Sequence, residues 1–442
     1  MAAGVIAGAA TADVTPDRSQ FLFGYPHVRR YSTGVHDPLM TSALFLSDGQ
    51  TSLMLVANDV IYIGRETARC VRDRIAAQTG VPAGHIMVTA THTHSGPMTV
   101  DLLSCEADPA VPKTDPRYVA RLEDGIVAAA VKAYHNARPA ELGMALANCP
   151  GVGTNRHDPA GPADPQVPVL VVRDAGSAAF VAAMLVCSMH PTVLHEDSTL
   201  MSGDFPVMAR QYLQKHVFGP DCPVLHHTGP CGNQSPRHVA RANTFAEAER
   251  LGGLLGQAVA DVLGSIRYTS DVPLRCMSAR IELPPRIQPP VSQARERLER
   301  AAEQLAALRR SGADRHAVRT AECDWFGAEE SLVLALAAAA GRLEQIIASV
   351  TPAEIMLLGI GPWSFAAWPG EVFVEFALEV KSRHPNCHVI SLANGELQGY
   401  LATAEAVEQG WYEAMNALFE SPAAGRALIA ATLRLLEAAR AP

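Results

Sequence analysis

The sequence predicts an α/β protein in which mixed β-sheets are flanked by helices, with an inserted helical hairpin. Short apolar runs alternate with helical segments through residue 266, and the same alternation resumes after residue 353. Residues 286–348, between these parts, are rich in Ala, Leu, Glu and Arg with a helical period. Because alternating strands and helices build sheets covered by helices, we predict one domain, residues 1–442, with the hairpin 286–348 inserted in it.

The first part of the chain is predicted from its hydrophobic periodicity. Apolar runs bounded by turn residues predict strands, and longer stretches with a 3.6-residue period predict helices. A strand pair is predicted over 42–46 and 52–58, turning at Asp48-Gly49. The other predicted strands are 4–14, 85–90, 141–147, 168–173, 179–188 and 223–227, and the predicted helices are 66–78, 115–135, 205–216 and 244–266.

Residues 286–348 differ in character from both flanking parts. Their helical periodicity is interrupted near Ser311-Gly312, which predicts two helices joined by a turn. This hairpin could cap a substrate pocket and set its depth, or it could form the interface of a homo-oligomer. After it, strands are predicted over 354–358, 363–368 and 388–392, a helix over 371–383, and two helices at the end.

Composition and charge exclude several classes of partner. Of the 442 residues, 48% are hydrophobic and 18% are charged, and the formal net charge is −9. Lys and Arg form no long block, so we expect neither nucleic acid nor an anionic membrane surface as the partner. The sequence has no run of about 18 uninterrupted apolar residues, which argues against a transmembrane segment.

The N-terminus and the cysteines bear on localisation. The first 17 residues are small and apolar, without Lys or Arg ahead of the apolar part, which predicts a first strand rather than a signal peptide. Nine scattered cysteines form no Cys-x-x-Cys pair. We therefore expect reduced, mostly buried thiols in a cytoplasmic protein.

The run Thr-His-Thr-His-Ser-Gly-Pro at 91–97 is the first candidate for chemistry, and it follows a predicted strand. Residues two apart on an extended segment point to the same side, so His92 and His94 would be aimed at one point. Neutral imidazole is a good zinc ligand, and the flanking hydroxyls could orient it. Two ordinary polar residues at the entrance to a loop are the alternative.

Two further segments each supply one candidate. His190 ends an apolar strand, and Pro191 fixes the chain just after it, although a lone histidine there is usually structural. Glu371 follows the turn Pro369-Gly370 and would lie in the first turn of a helix, where a glutamate also meets the helix dipole favourably. Both residues are open to a metal-binding and to a structural interpretation.

The Gly-rich turn at 228–236 places Ser235 between a strand and a helix. This arrangement has the outline of a nucleophile elbow, but it is not Gly-x-Ser-x-Gly, and no acid and base are placed for a serine triad. Ser235 as a helix N-cap is the alternative. His226 and His227, just before the turn, could be ligands or could line a pocket wall.

Taken together, these segments resemble the catalytic N-terminal domain of the neutral/alkaline non-lysosomal ceramidase family. The matching segments run in order from about residue 9 to residue 413. They are Ala12 to Pro16, Phe23-Gly24-Tyr25, the 91–97 run, Asn155-Arg156, His190-Pro191-Thr192, Ser202-Gly203-Asp204, Gly232 to Pro236, Pro369-Gly370-Glu371, Gly399-Tyr400 and Trp411-Tyr412-Glu413. The chain departs from the family pattern at Asn233, where Asp is usual, and at Arg237, where Asn is common.

The resemblance implies a site residue by residue. The Zn2+ ligands that it implies are His92, His190, Glu371 and Tyr400. The residues that it places around the scissile carbonyl are His94, Arg156 and Tyr412, with Ser235 in the pocket as a substrate-positioning group.

The resulting hypothesis is a zinc-dependent amidase that uses a zinc-activated water to cleave a small-molecule or lipid-like N-acyl substrate. That substrate could be a smaller N-acyl metabolite than ceramide. Two alternatives stay open: a zinc-dependent esterase or lactonase on the same scaffold, and a non-catalytic binding protein with a relict site.

Overall fold

Two mixed β-sheets lie face to face between layers of helices in the computed structural model, which describes residues 4–440. The strands, numbered in chain order, are β1 (Ile6–Asp13), β2 (Gly34–Val35), β3 (Met40–Ser47), β4 (Ser52–Asn58), β5 (Ile86–Ala90), β6 (Arg138–Asn148), β7 (Thr154–Asn155), β8 (Gln166–Asp174), β9 (Phe180–Cys187), β10 (Leu200–Met201), β11 (Val224–Thr228), β12 (Gln234–Ser235), β13 (Leu274–Ile281), β14 (Ala353–Ile360), β15 (Trp363–Ala367), β16 (Glu371–Val372), β17 (Cys387–Ile390) and β18 (Tyr400–Leu401).

The helices cover the outer faces of the sheets and supply the inserted hairpin. In chain order they are α1 (Arg65–Thr79), α2 (Pro116–His135), α3 (Asp204–Leu213), α4 (Phe245–Val262), α5 (Val291–Ser311), α6 (Arg315–Ala339), α7 (Leu343–Val350), α8 (Val374–Arg383), α9 (Ala404–Gln409), α10 (Tyr412–Met415) and α11 (Ser421–Ala438).

The larger sheet has eight strands in the order β11-β9-β8-β6-β1-β3-β4-β5. Its β4–β5 and β9–β11 pairs are parallel, and its other pairs are antiparallel. The smaller sheet has the order β13-β14-β15-β17, with only β15–β17 parallel. The predicted α/β class with mixed sheets flanked by helices is therefore confirmed.

Alternation along the strands explains the layers. On β3, Phe45 faces the helices α1 and α2, whereas Leu44 faces the smaller sheet and shares a buried core with Phe365 of β15. The outer face of the smaller sheet packs on α11, where Leu357 and Leu428 belong to one core. Each such buried side chain contributes about 1.5–3 kcal/mol, and separate hydrophobic clusters fill the space between the two sheets and the space under the helices on their outer faces.

The two edge strands of the larger sheet, β5 and β11, meet although they lie at opposite ends of its strand order. Oγ1 of Thr89 lies 2.8 Å from Nδ1 of His227, and the hydroxyl of Thr228 donates to the carbonyl of Thr91 at 2.8 Å. The sheet is therefore curled. This curl brings the segments that leave β5 and β9 to one place.

The predictions about a transmembrane segment and about the cysteines can be compared with the described residues. Within residues 4–440 no single helix is long and apolar enough to cross a membrane, although α6 and α7, bent at 107°, would reach that length and composition if taken together. All nine cysteines are free thiols in this part of the chain, as expected, but only four of them are buried and the other five are partly exposed.

Several elements differ from the sequence prediction, and the last part of the chain has three helices, α9 to α11, where two were predicted. Residues 291–350 form three helices rather than a simple pair, although the predicted break near Gly312 is present, with a left-handed φ of 67°. Strand β13 was not predicted, because it is an edge strand whose polar residues interrupt the apolar pattern. Glu371 does not begin a helix: it lies in β16, paired with β18, and α8 begins at Val374. The pairing with a distant strand overrides the local helical pattern there.

Candidate active site

Three histidines converge where β5 and β9 end. His92 and His94 follow β5, and His190 follows β9. Nε2 of His92 lies 3.1 Å from Nε2 of His190 and 3.4 Å from Nε2 of His94. His92 and His190 are each only 1% exposed, so these nitrogens meet in a nearly dry interior. The three rings could together hold a metal ion.

Hydrogen bonds on the far side of each ring fix where the histidines carry their protons. Nδ1 of His92 donates to the carbonyl of Ile61 at 2.9 Å, and Nδ1 of His190 donates to that of Cys231 at 2.7 Å. Nδ1 of His94 likewise contacts a backbone carbonyl, at 3.1 Å. Because a carbonyl oxygen can only accept, each Nδ1 carries a proton, and in the neutral ring each Nε2 therefore keeps its lone pair. Three lone pairs at these distances repel one another unless a cation lies between them.

Glu371 joins the cluster from the side of the smaller sheet. Its Oε2 lies 3.3 Å from Nε2 of both His92 and His190, yet it makes no hydrogen bond with any described residue. Its Oε1 accepts the hydroxyl of Tyr62. Burial alone would raise the pKa of Glu371, but positive charge on the neighbouring His92 and His190 holds that pKa well below its usual range, and a bound cation would supply the same charge beside neutral imidazoles. The group is therefore an ionised carboxylate with one oxygen free.

The separations within this cluster fit a zinc ion. Bonds of about 2.0–2.2 Å in tetrahedral geometry separate ligand atoms by roughly 3.3–3.6 Å. The separations among His92, His190 and Glu371 are 3.1, 3.3 and 3.3 Å. Imidazoles anchored to carbonyls through Nδ1, together with one carboxylate, are a donor set that zinc takes. The residues present therefore suit the metal that the sequence predicts.

The backbone at His92 is not the extended segment that the sequence predicts. Its φ is 68°, in the left-handed region that is rare for residues other than glycine. The amide of Thr91 donates to the carbonyl of Asn58 at 2.8 Å, and that of His92 donates to the carbonyl of Val60 at 2.9 Å. These bonds hold a tight turn, so the imidazoles of the 91–97 run converge through a turn and not through strand alternation.

Tyr400 and Tyr412 lie next to the cluster on the cavity wall. Tyr400 is the strand partner of Glu371, and the rings of the two tyrosines are 6.0 Å apart. Burial raises the pKa of both phenols well above the ordinary value, so both are neutral. No described contact joins the Tyr400 hydroxyl to the histidines, and its role as a ligand stays a prediction.

Arg156 is held beside these tyrosines by a buried acid. Its guanidinium carbon lies 5.2 Å from the ring centre of Tyr412, and its Nε and Nη2 donate to one oxygen of Glu413 at 2.9 and 2.5 Å. His157 reaches the same oxygen at 2.8 Å. Burial opposes the charge of Arg156, but Tyr412 and Glu413 hold its pKa well above the ordinary value. The sequence motif assigns no role to Glu413, which positions Arg156.

Ser235 lines the cavity with the geometry of a cap. Its Oγ accepts the amide of Arg237 at 3.1 Å, at the start of a short 3-10 helix. Within residues 4–440, no histidine or carboxylate forms a hydrogen bond with that hydroxyl, so no base activates it as a nucleophile. His226 and His227 lie in buried β11 and do not line the cavity, which leaves the ligand alternative for them without support.

The 91–97 run is braced by residues that sequence reasoning does not single out. Buried Arg30 donates from Nη1 to the carbonyl of His94 at 2.7 Å and from Nη2 to Oγ of Ser95 at 2.9 Å. Gly24 supplies the carbonyl that anchors His94, and a Cβ on Gly24 would lie 2.4 Å from that ring. The sequence motif Phe23-Gly24-Tyr25 could therefore have indicated the contact between Gly24 and His94.

A cavity of about 1530 Å³ opens in front of the cluster. It exceeds the roughly 300–1,000 Å³ of most small-molecule sites. Every predicted site residue except His92 lines it: His94, Arg156, His190, Ser235, Glu371, Tyr400 and Tyr412. The structure thus brings the predicted residues together, with His92 behind the cavity surface.

The hairpin of α5 and α6 forms part of the cavity wall. Arg297 and Arg300 of α5 and Phe326 and Glu330 of α6 line the cavity. Helix α6 also packs on α10 through Gly327. This geometry favours the alternative in which the hairpin bounds the pocket, while its part in a homo-oligomer stays a prediction.

The two departures from the family pattern each have a partner in the structure. Nδ2 of Asn233 donates to both carboxylate oxygens of Glu375, at 2.8 and 3.0 Å, where an aspartate would place a second carboxylate against the first. Arg237 donates to the carbonyl of His316 and the hydroxyl of Thr320, at 3.1 and 3.0 Å. Arg237 therefore ties the serine turn to the inserted hairpin.

Comparison with known proteins agrees with the fold described above. The fold is similar to that of neutral ceramidase from Pseudomonas aeruginosa, with a TM-score of 0.73 and 19% identity over 98% of this chain and 75% of that chain. A structure of a ceramidase complexed with C2 gives a TM-score of 0.72 and 16% identity over 98% of this chain and 76% of that one. No curated protein matches the sequence. Residues 6–224 match the family model of the neutral/alkaline non-lysosomal ceramidase N-terminal domain, which confirms the resemblance to that family that the sequence motifs predict.

Proposed function

We propose that this protein is a zinc-dependent hydrolase that cleaves the amide bond of an N-acyl substrate. The observation that carries the proposal is the cluster of His92, His94, His190 and Glu371, whose lone pairs and free carboxylate oxygen face one another beside a large cavity. The family match over residues 6–224 supports a hydrolase that acts on amides. A relict site would not need to retain this complete donor set.

The groups that would hold the metal are distinct from those that would serve the substrate. His92, His190 and Glu371 would bind zinc, with Tyr400 as the remaining candidate. When bound, zinc supplies Lewis acidity, which lowers the pKa of a water from about 15.7 to roughly 7 and polarises a carbonyl. The second-sphere bonds from Ile61 and Cys231 keep both imidazoles in the ligand tautomer.

His94 faces the cavity, in contrast to His92. Burial and the neighbouring histidines hold the pKa of His94 well below its usual range, so the ring is neutral. Its Nε2 would accept a proton from the attacking water and deliver it to the leaving amine. This assignment makes His94 a proton carrier rather than a ligand.

Arg156 and Tyr412 would stabilise the carbonyl oxygen as negative charge develops on it. Their donors lie on the cavity wall, and the charge of Arg156 is maintained by Glu413. Removing one such donor typically costs about 10²–10³ in rate. The Ser235 hydroxyl, whose partner is a backbone amide, would orient the substrate.

Substitution at His92 and His94 tests these roles. We expect His92→Ala to lose bound zinc and activity together, because one of the ligands is removed. We expect His94→Gln to retain zinc and to lose about 10²–10³ in kcat. Elemental analysis and a panel of N-acyl compounds of varied chain length provide the measurements. His135→Ala, at an exposed histidine on α2, is the control. Full activity with unchanged zinc in His92→Ala would refute the proposal.

The esterase or lactonase alternative uses the same groups and needs its own assay. Matched N-acyl and O-acyl substrates, offered to the same zinc-loaded protein, separate the two activities. We expect hydrolysis of the N-acyl compound. Cleavage of the O-acyl compound alone would overturn the amide assignment and leave the metal site intact.

A further inference from the structure

Helix α6 of the hairpin carries into the cavity a carboxylate that the proposed chemistry does not use. Glu330 lines the cavity, and its Oε2 accepts a hydrogen bond from Nδ2 of Asn416. The preceding residue, Glu329, is paired with His27 at 2.6 Å. No Lys, Arg or His within residues 4–440 forms such a pair with Glu330, which is left with one neutral donor.

Asn416 presents a second acceptor at the same place. The amide nitrogen of Asn416, Nδ2, donates to Glu330. Its amide oxygen, Oδ1, therefore remains as an acceptor. That oxygen is buried and has no hydrogen-bond partner in the described part of the chain. Asn416 is 6% exposed and lines the cavity. Native proteins leave few buried oxygens without a donor, so a molecule in the cavity is the available source of one.

Glu396 supplies a third acceptor from a different segment. It lies on the loop between β17 and β18, lines the cavity, and accepts from the amide and Nε2 of Gln398. Asn394 and Gln398 in this loop have φ of 58° and 57°. Such strained backbone clusters at functional sites.

The surroundings of these acceptors favour a cation. Burial raises the pKa of both Glu330 and Glu396 to about 7, and nearby Glu371 adds to the rise in each case. A cation bound beside either carboxyl would lower its pKa and favour the charged form. Phe326, one helical turn before Glu330, lines the same cavity, and an aromatic face attracts an organic cation more than a neutral hydroxyl.

We propose that Glu330, Asn416 and Glu396 form a subsite for a protonated amino group, and that the substrate is an N-acyl compound with an ammonium group away from the scissile bond. An ammonium has three N–H donors and no acceptor, which matches a set made only of acceptors. The substrate class rests on the proposed function, whereas binding of an alkylammonium ion to the subsite requires no turnover.

A binding measurement tests the subsite apart from catalysis. Isothermal titration calorimetry on the full chain, both zinc-loaded and chelator-treated, compares n-hexylammonium with n-hexanol. We expect at least 10-fold tighter binding of n-hexylammonium in both forms. Glu330→Gln, which keeps the shape and the oxygen that faces Asn416, should remove this preference. Glu303→Gln, at an exposed glutamate of α5 on the same hairpin, should retain it.

A second variant and a pair of amides complete the test. Glu396→Gln changes the subsite at a residue on another segment, and it should also weaken the preference for n-hexylammonium. This variant provides the test if Glu330→Gln does not fold. N-octanoyl-1,6-diaminohexane should exceed N-octanoylhexylamine in kcat/KM by at least 10-fold in the wild type, and by less in either variant. Equal affinity for n-hexylammonium and n-hexanol in the wild type, or an unchanged preference in both variants, overturns the subsite. Binding as expected without hydrolysis of either amide overturns the proposed function and leaves the subsite standing.

Discussion

Tyr62 is the residue that fixes the carboxylate of Glu371. Its hydroxyl donates to Oε1, which leaves Oε2 directed at the two buried histidines. Burial and the adjacent Glu371 raise the pKa of Tyr62 well above the ordinary value, so the phenol keeps the proton that it donates. The carboxylate that we propose as a metal ligand thus has an outer partner of the kind that metal sites commonly use.

We expect Tyr62→Phe to weaken zinc binding by about 10- to 100-fold, since loss of an outer-sphere partner leaves the ligand free to reorient. Competition with a chelator of known affinity measures the change. Tyr134→Phe, at a tyrosine on α2 whose ring packs on Phe45, is the matched control and should bind zinc as the wild type does. Equal affinities in the two variants would show that Tyr62 does not orient Glu371.

Single residues were predictable from the sequence where residue type and motif carry the chemistry. His92, His190 and Glu371 are of that kind. The roles of Tyr62 and Glu413 were not predictable, because their contacts join segments far apart in the chain, and the motif that contains Glu413 gives that residue no role. The orientation of His92 also could not be predicted, since its left-handed backbone is set by hydrogen bonds to the segment after β4.

At the scale of elements, the contact of α6 with α10 connects the hairpin to the site. Gly327 of α6 lies so close to α10 that a Cβ on it would be 2.4 Å from Cβ and 3.0 Å from Cα of Tyr412. Glycine therefore sets the distance between the two helices. The same short helix α10 carries Glu413, which holds Arg156.

Gly327→Ala tests this contact. Alanine favours a helix by about 1 kcal/mol over glycine, but the clash should reverse the sign and destabilise by about 1–3 kcal/mol, as overpacking does. We also expect kcat/KM to fall, because Tyr412 and Arg156 move. Gly253→Ala in α4, where the nearest atom would be 4.0 Å away, is the control and should stabilise. Denaturant unfolding measures the free energy of unfolding of both variants. A Gly327→Ala variant that is more stable than the wild type would exclude the close contact.

Elements were predictable where a buried face gives a clear period, as in α2 and β5. They were missed where pairing with a strand distant in the sequence determines the conformation, as in β13 at a sheet edge and in β16. Glu371 belongs to this second group. Its position in a two-residue strand depends on pairing with Tyr400, which no local pattern contains.

At the scale of the whole molecule, the proposed metal centre joins two bodies of structure. His92 and His190 follow strands of the curled larger sheet, whereas Glu371 follows β15 of the smaller one. The sequence predicts mixed sheets, but it does not predict the curl that brings the edges β5 and β11 together. That curl depends on side-chain contacts such as Thr89 to His227, which exist only in the folded chain.

Removal of zinc should therefore lower the stability of the whole domain. Binding to the folded state alone stabilises by about 4.1 kcal/mol when free zinc is 1,000 times Kd. We expect a chelator to lower Tm in the wild type and to leave Tm of His92→Ala unchanged, because that variant lacks a ligand. Differential scanning calorimetry with and without chelator measures both. If the chelator changed Tm equally in both proteins, zinc bound through His92 would not stabilise the folded domain.

The position of Glu371 also determines the order in which the centre can be completed during synthesis. A nascent chain that has left the ribosome only as far as residue 228 contains all three histidines and the strands of the larger sheet, but not the carboxylate. Any metal captured at that stage meets neutral imidazoles alone. The charge that matches a divalent ion emerges only after the hairpin and strand β15 have been synthesised, so the proposed centre is completed together with the smaller sheet.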